Sequence, residues 1–578
     1  TRIIFGYIAA MGLVGFAVKL KPKYHNFSAV LMSGGLAAMY FVTYFGYSAY
    51  GLIAQPAAFV LMAMFTVFTV AAALFYSRQV IAHIGLVGAY AVPFLLSQNS
   101  ANYAGLFTYM AIVNAGILAI SIKKLWRPIF YTASFFTWVI FGAWLGTKYA
   151  PEHLGLALGA LGVFFAIFYA TKVVHGVLHS QHDSEENIGA IVITAVGFFI
   201  AALAIGNVQL STMGYATFLS FVGAFALAML LTSYEFYGRV LIFVTYPFTW
   251  VAYLIWFVRW YNPDQHFALA WAAAGTYFLV FYLATLFYRL VTDELGLAET
   301  TSMMLTNSFV FYGAGYAILD SREEMQSWEG LYTAANAVFH SIIAQIVSRV
   351  RASAVDVVQL LTVLIVTFTT ITIPVQFDGQ AVTVMWAVEA AALFWMARSR
   401  GVKFFEYLSY PVMVLAGFSL AYDWSLIGAS AERTPFLNGD VVTEIVFVAV
   451  AAFVYQVHKR ARFASAIGDE PARYASQAIA AAGTFVLYNM IRIEIATYFD
   501  LLRQLSPAFS PDIDRFGILA QMNYTLLFLA IFGIVDLKRL RSQAVSGTVI
   551  LFGILTILIT STAGMWAVAD LRQSYPNF

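Results

Sequence analysis

Long, uninterrupted apolar segments recur along the whole chain and are separated by short polar turns. An α-helix needs about 20 apolar residues to cross the hydrocarbon core of a bilayer. Strands of a membrane barrel would instead alternate apolar and polar residues over about ten positions, and that alternation is absent here. The pattern therefore predicts an all-α, polytopic integral membrane protein with about 20 transmembrane helices, at residues 2–19, 27–51, 55–76, 79–97, 103–122, 127–147, 154–174, 187–205, 212–232, 237–259, 266–290, 301–319, 329–348, 355–375, 380–397, 402–422, 441–457, 474–499, 517–535 and 545–568.

The predicted helices follow one another as successive hairpins. None of the turns is long enough to hold a soluble domain. We therefore expect a single transmembrane domain over residues 1–578, in which the hairpins are candidate internal repeats. The chain begins at Thr1, inside an apolar stretch and without an initiator methionine. We expect further residues to precede it in the full protein.

Composition supports a lipid environment. Hydrophobic residues make up 61% of the chain and charged residues 10%, and the mean hydropathy is +0.79. A soluble domain carries about 25% charged residues. The chain has no cysteine, which excludes disulfides and thiolate metal sites. The sequence contains no cofactor motif, and a net charge of +2 gives no reason to expect nucleic acid. Membrane lipids and proteins of the cell envelope are the expected partners.

The charges are distributed unevenly between the two sides of the predicted bundle. Alternate turns are basic and hold 22 of the 31 lysine and arginine residues. Basic turns face the cytoplasm in polytopic membrane proteins. The distribution predicts a bacterial inner membrane protein with these residues on the cytoplasmic side: Lys19, Lys21, Lys23, Arg78, Lys123, Lys124, Arg127, Lys172, Arg239, Arg289, Arg349, Arg351, Arg398, Arg400, Lys403, Lys459, Arg460, Arg462, Arg473, Lys538, Arg539 and Arg541.

Two blocks of sequence resemble a known family. The first contains Ser33-Gly34-Gly35-Leu36-Ala37-Ala38-Met39-Tyr40, Gln55-Pro56-Ala57-Ala58-Phe59, Gly85-Leu86-Val87-Gly88-Ala89-Tyr90-Ala91-Val92-Pro93-Phe94, Tyr109, Asn114-Ala115-Gly116-Ile117-Leu118 and Lys124-Leu125-Trp126-Arg127. The second is Trp386-Ala387-Val388-Glu389-Ala390-Ala391-Ala392-Leu393-Phe394-Trp395. Together they resemble the bacterial multi-spanning membrane proteins of DUF2339, although Gly88-Ala89 stands where the family has two glycines. The resemblance implies the architecture and no particular activity. We attribute the glycines Gly34, Gly35, Gly85 and Gly88 to close helix packing.

Ionisable residues inside predicted spans are the main candidates for a functional site, because each costs roughly 2.5–3.5 kcal/mol to insert. Glu389 lies in the middle of a span, either as a protonatable or cation-binding carboxylate or as a hydrogen-bonding residue that holds two helices together. Arg492 follows Thr484 and Tyr488 at four-residue spacing on one helix face. Its guanidinium could bind an anion or pair with Glu389 or Glu444.

Further candidates for transport or ion coupling are Glu444, Glu494 and a polar face with Thr333, Asn336 and His340. His340 could relay protons near neutral pH, or it could be a packing residue with its hydrogen bonds satisfied. His175, His179 and His182 are spaced by four and then three residues, which is the spacing of a weak candidate metal site. A solvated acidic turn is the alternative explanation for that segment.

Three functions fit these features. A transporter or channel for an unidentified solute or lipid is favoured by the many spans and the scattered intramembrane charges. A structural or assembly subunit of an envelope complex is the alternative. An intramembrane enzyme acting on a lipid-linked substrate comes third and is the least favoured.

The charge pattern predicts the topology directly. Single cysteines at Ser100 and Asp378 should react with a membrane-impermeant thiol reagent added to intact cells, whereas cysteines at Ser399 and Ser542 should not. The native chain provides the unreactive background, since it lacks cysteine. A reversed pattern would contradict the orientation, and a mixed pattern would contradict the number of spans.

Overall fold

A computed structural model describes residues 2–95, 102–123, 126–179, 185–236, 238–292, 295–427, 434–460, 465, 467–506, 510–535, 537–538 and 543–574. The described residues fall into two compact units, Thr1–Arg322 and Glu323–Phe578. The predicted single domain stays a prediction. Several residues named above lie outside the described part of the chain: Thr1, Ser100, Lys124, Leu125, His182, Arg462, Arg539, Arg541 and Ser542.

The N-terminal unit consists of helices connected by short turns. They are α1 (Arg2–Leu20), α2 (His25–Ser48), α3 (Gln55–Tyr76), α4 (Gln79–Leu95), α5 (Tyr103–Lys123), α6 (Arg127–Thr147), α7 (Leu154–His179), α8 (Glu185–Gly206), α9 (Thr212–Phe236), α10 (Gly238–Trp260), α11 (Pro263–Leu290) and α12 (Leu297–Asp320). A 3₁₀ turn, Pro151–His153, precedes α7.

The C-terminal unit is helical as well. It contains α13 (Glu323–Gln326), α14 (Glu329–Val350), α15 (Val355–Gln376), α16 (Gln380–Arg400), α17 (Lys403–Ser425), α18 (Gly439–Lys459), α19 (Asp469–Leu505), α20 (Ser510–Val535), α21 (Gln543–Ile559) and α22 (Met565–Ser574). A π-helical turn, Thr560–Gly564, joins α21 to α22. The all-α prediction is confirmed, because no strand occurs anywhere in the described ranges.

In the described part of the chain every predicted span coincides with helical residues, and 18 helices there are long and apolar enough to cross a membrane. The two that fall short are α4 and α12. Helix α4 has 17 residues, or about 25 Å of helix, whereas the hydrocarbon core is about 30 Å thick. Helix α12 is long enough, but its Ser, Thr and Asn side chains interrupt the run of apolar residues. The polytopic membrane architecture is confirmed.

Large apolar side chains cover the outer surfaces of both units. Leu52, Val67, Val258 and Phe418 are each at least two-thirds exposed. A water-soluble protein rarely exposes apolar surface on this scale. Lipid is the solvent that such surfaces require, in agreement with the composition.

Glycines allow close helix contacts in the N-terminal unit. A Cβ on Gly35 would lie 2.8 Å from Val14 Cγ2 of α1, and one on Gly88 would lie 3.2 Å from the Tyr40 ring. A Cβ on Gly85 would overlap the Thr69 side chain of α3. The packing role is confirmed for these three. It is wrong for Gly34, where a Cβ would meet nothing within 4 Å, because that position faces away from the neighbouring helices.

A buried ion pair connects the basic end of α16 to α17. Arg398 Nη2 lies 2.8 Å from Glu406 Oε1, and the two side chains are 1% and 0% exposed. Glu406 also accepts hydrogen bonds from Tyr410 at 3.0 Å and from Ser465 at 3.0 and 3.1 Å. His458 of α18 lies 3.2 Å from the Arg398 guanidinium. The sequence assigned Arg398 to a cytoplasmic basic turn, but its charge is enclosed rather than presented to solvent.

Loss of the Glu406 charge should strongly destabilise the C-terminal unit. Glu406→Gln leaves Arg398 buried without its counter-charge, which typically costs about 3–5 kcal/mol. We expect a correspondingly lower free energy of unfolding in detergent. The double change Arg398→Met with Glu406→Met should cost less than the single one, because no charge is left unpaired.

The matched control is Glu470→Gln. Glu470 lies 3.9 Å from Arg473, and its side chain is 80% exposed. Exposed pairs contribute about 0–1 kcal/mol, so this variant should unfold almost as the native protein does. An equal decrease in the free energy of unfolding for Glu406→Gln and Glu470→Gln would contradict the structural role of the buried pair.

Candidate functional site

The polar face predicted on α19 is present and turns towards α20. The Tyr488 hydroxyl lies 2.9 Å from Thr525 Oγ1, and the Tyr488 and Tyr524 rings stack at 5.6 Å. Tyr524 donates its hydroxyl proton to the Tyr488 carbonyl at 3.1 Å. Four-residue spacing places Thr484, Tyr488 and Arg492 on the same side of the helix. This face of α19 forms polar contacts with α20.

Arg492 has neutral partners. Its Nε donates to Asn489 Oδ1 at 3.2 Å, and its Nη1 lies 3.4 Å from Gln521 Oε1 of α20. Among the described residues no carboxylate forms an ion pair with it. The two pairings considered from the sequence do not occur. Glu389 contacts Thr370, and Glu444 accepts a hydrogen bond from the Trp424 indole at 2.6 Å.

Arg492 lines a cavity of about 1330 Å³ among α18, α19, α20 and α21. Pockets for drug-sized molecules are typically about 300–1,000 Å³, so this one has room for a larger molecule. Most of its wall is apolar, and it includes Met522, Phe528 and Phe552. Its polar groups are Tyr455, Lys459, Gln477, Thr484, Tyr488, Arg492, Gln521, Thr525 and Thr556. The cavity is therefore amphipathic.

The cavity is elongated along the helices. Its α19 wall runs from Gln477 to Arg492, a rise of about 22 Å, which is most of the hydrocarbon thickness of about 30 Å. Lys459, at the C-terminal end of α18, lines it as well and lies 4.5 Å from the Tyr455 ring centroid. Because α19 follows α18 by a short connection, Lys459 lies near the Gln477 end. Each end of the cavity thus has one cationic side chain.

Family-motif residues meet in the N-terminal unit. The Tyr90 hydroxyl of α4 donates to Asn114 Oδ1 of α5 and lies 2.8 Å from Thr137 Oγ1 of α6. The Asn114 amide nitrogen donates to Thr137 at 3.1 Å. Tyr109 donates to the Ala89 carbonyl at 3.0 Å. Residues separated by more than 40 positions are brought into one buried polar network.

Residues 1–237 match the family model DUF2339, described as a predicted membrane protein. The resemblance of the first sequence block is thereby confirmed. The second block, Trp386–Trp395, and the cavity both lie beyond the matched residues. No curated protein matches the chain, and no solved structure does. The match shows that residues 1–237 are similar to a family of predicted membrane proteins, and it gives no activity.

Glu444, near the N-terminal end of α18, and Glu494, in the C-terminal half of α19, make structural hydrogen bonds. Glu494 accepts hydrogen bonds from the Phe436 backbone nitrogen at 2.7 Å and from the Asn438 amide at 3.1 Å, and it is 1% exposed. Glu444 is 2% exposed and bonds to Trp424 of α17. Neither side chain lines the cavity. The contacts of Glu494 fasten the segment before α18 to α19, and the contact of Glu444 joins α18 to α17. An ion-coupling role for both residues stays a prediction.

His340 and Asn336 lie in the contact between α14 and α15. His340 is fully buried. Its Nδ1 lies 2.7 Å from the Asn336 carbonyl, and its ring stacks on Phe368 at 5.4 Å. The Asn336 amide donates to the Tyr332 carbonyl at 2.9 Å. These contacts are those of packing residues, and the proton relay stays a prediction.

The histidine metal site stays a prediction. The side chains of His175, His179 and His182 lie outside the described part of the chain. Within the described part, no three His, Cys, Asp or Glu side chains are grouped to hold a metal ion.

Sequence reasoning missed two of the polar residues around Arg492. Gln521 and Thr525 are four residues apart on α20, which is the same spacing that revealed the α19 face. A search for facing polar pairs on consecutive helices would have found them. Lys459 was assigned to a basic turn, and at the end of α18 it also forms part of the cavity wall.

Proposed function

We propose that this protein binds and transports an anionic amphiphile, a lipid or lipid-linked molecule, through the cavity among α18, α19, α20 and α21. The proposal rests on the surroundings of Arg492. Its guanidinium lies in a spanning helix, and its hydrogen-bond partners, Asn489 and Gln521, are neutral. An arginine at such a position costs roughly 2.5–3.5 kcal/mol to insert. A bound phosphate or carboxylate would supply the missing counter-charge through charge-assisted hydrogen bonds.

The apolar wall suits the tail of such a molecule. Phe528, Leu529, Phe532, Phe552 and Leu555 provide apolar surface between the two ends of the cavity. A small hydrophilic anion would gain nothing from this surface, whereas an acyl or prenyl chain would gain about 0.8 kcal/mol for each buried methylene. The combination of one cationic group with a long apolar wall therefore favours an amphiphile over an inorganic ion.

The position of the cavity favours transport. Its length covers most of the membrane thickness, with Lys459 towards one end and Arg492 towards the other. Within this unit α20 and α21 form a thin outer wall: in the most apolar stretch of α20 no residue is buried, against 39% for α18. An amphiphile could reach the cavity from the bilayer between such helices. The assembly-subunit alternative would instead have an envelope partner cover these exposed faces.

Removal of the Arg492 charge should weaken binding of an anionic lipid. Hydrogen bonds to a charged group contribute about 1.5–3 kcal/mol. We expect Arg492→Gln to lower the affinity for dioctanoyl-phosphatidylglycerol at least about tenfold, measured by calorimetry in detergent. Dioctanoyl-phosphatidylcholine should bind weakly to both proteins, and inorganic phosphate should not compete at equal concentration.

Arg503→Gln is the matched control on the same helix. Arg503 is paired with Asp500 at 3.2 Å and Asp514 at 3.7 Å and does not line the cavity. Its variant should bind phosphatidylglycerol as the native protein does. Equal binding of the two lipids by the native protein would refute recognition of the anion by Arg492. Competition by inorganic phosphate would identify a phosphate site without the lipid tail.

Transport can be measured separately from binding. Liposomes containing the protein and a fluorescent phosphatidylglycerol should lose nearly all fluorescence when dithionite is added outside, because lipid labelled on the inner leaflet reaches the outer one. Arg492→Gln should preserve the inner-leaflet signal, and Arg503→Gln should not. If the native protein protects as much label as protein-free liposomes do, the transport proposal fails even where binding holds.

A further inference from the structure

Helix α15 lacks one backbone hydrogen bond next to Glu389. Pro374 lies inside this helix and has no backbone N–H, so the carbonyl of Thr370, four residues earlier, loses its helical donor. The indole nitrogen of Trp386 on α16 donates to that carbonyl at 2.9 Å. Glu389 follows Trp386 by three residues and lies on the same face of α16. Two side chains of α16 therefore meet α15 at a single residue, Thr370.

Two oxygen atoms lie within hydrogen-bond distance of the Thr370 hydroxyl, which has only one proton to donate. Its Oγ1 lies 2.8 Å from the Val366 carbonyl and 2.9 Å from Glu389 Oε1. A hydroxyl group donates one hydrogen bond, and a carbonyl oxygen can only accept. Both short contacts are satisfied if Thr370 donates to Val366 and the carboxyl group of Glu389 donates to Thr370. Glu389 can act as a donor only when it is protonated.

The second oxygen of Glu389 supports the same assignment. Oε2 is buried and has no hydrogen-bond partner in the described part of the protein. An ionised carboxylate would leave it as an unpaired buried charge, which is far more costly than a neutral acid. Six or more oxygen ligands are usual for a hard cation such as Ca²⁺, and Thr370 provides one. A proton is therefore the ligand that fits this site.

Charged groups on the helices around Glu389 are engaged elsewhere or lie at helix ends. Glu389 is nine residues, or about 13 Å, from both Gln380 and Arg398 on its own helix. None of the titratable residues of α16 or of the adjacent helices α15, α17 and α18 forms an ion pair with it. They are Arg398 and Arg400 of α16, Asp356 of α15, Lys403, Glu406, Tyr407, Tyr410, Tyr422 and Asp423 of α17, and Asp440, Glu444, Tyr455, His458 and Lys459 of α18.

We propose that Glu389 is a proton-binding site in the middle of the membrane-spanning region, where its carboxyl group holds a proton at neutral pH and donates it to the hydroxyl of Thr370. The site is separate from the cavity among α18–α21, so it does not depend on the amphiphile proposal. It supplies a group that can carry one proton within the membrane. Pro374 leaves the Thr370 carbonyl free to accept the Trp386 hydrogen bond, three residues before Glu389 on α16.

Infrared spectroscopy tests the protonation state directly. At pH 7 the native protein should show a protonated-carboxyl C=O band that is absent from Glu389→Gln. The glutamine amide can still donate to Thr370, so this variant should fold. Thr370→Val removes the hydrogen-bond acceptor and should shift the same band without abolishing it. A merely structural contact between an ionised Glu389 and Thr370 would produce neither change.

Glu470→Gln is the matched carboxyl control. Glu470 is exposed to water, so its loss should leave the protonated-carboxyl band unchanged at pH 7. Identical bands in the native protein and folded Glu389→Gln would show that Glu389 is ionised and would overturn the proposal. Should Glu389→Gln fail to fold, an unshifted band in Thr370→Val would overturn it equally. Neither result bears on lipid binding at Arg492.

Discussion

Inside a bilayer no water is available to polar groups, so the protein itself must provide a partner for each of them. Many hydroxyls meet this requirement within their own helix. Thr43, Thr69 and Thr285 each donate to the carbonyl four residues earlier at 2.7 Å. Other groups need a second helix, as in the network of Tyr90, Asn114 and Thr137. The buried Arg398–Glu406 pair meets the same requirement for full charges.

Two ionisable residues in spans meet the requirement differently. Arg492 cannot lose its charge, because a guanidinium stays protonated in proteins, and its described partners are neutral. It lines a cavity where an anion could approach. Glu389 can become neutral by taking up a proton, and its contact with Thr370 fits the neutral form. The contrast between the two sites follows from the chemistry of the side chains: one requires a ligand of opposite charge, and the other requires only a proton.

The sequence indicated part of the candidate site. Four-residue spacing correctly placed Thr484, Tyr488 and Arg492 on one face, because that geometry is local to a helix. The partners of Arg492 were not foreseen. Glu389 and Glu444 were the expected counter-charges, yet each bonds to a residue of a different helix. Arg398 was mistaken for a solvent-exposed turn residue because its partner Glu406 lies beyond the turn. The sequence does not show that the two side chains are buried together.

The sequence alone determined the all-α membrane architecture, the positions of the spans and the DUF2339 resemblance of the N-terminal region. The architecture and the spans depend on hydropathy summed over about 20 consecutive residues, and the resemblance depends on short motifs. Neither requires knowledge of the neighbouring helices. Only the tertiary structure decided that Arg492 lines a cavity, that Glu389 contacts Thr370 and that Gly34 faces away from other helices. Such contacts depend on which helices are adjacent and how each is rotated about its axis. Rotating a helix leaves its mean hydropathy unchanged while exchanging every side chain that it presents to its neighbours.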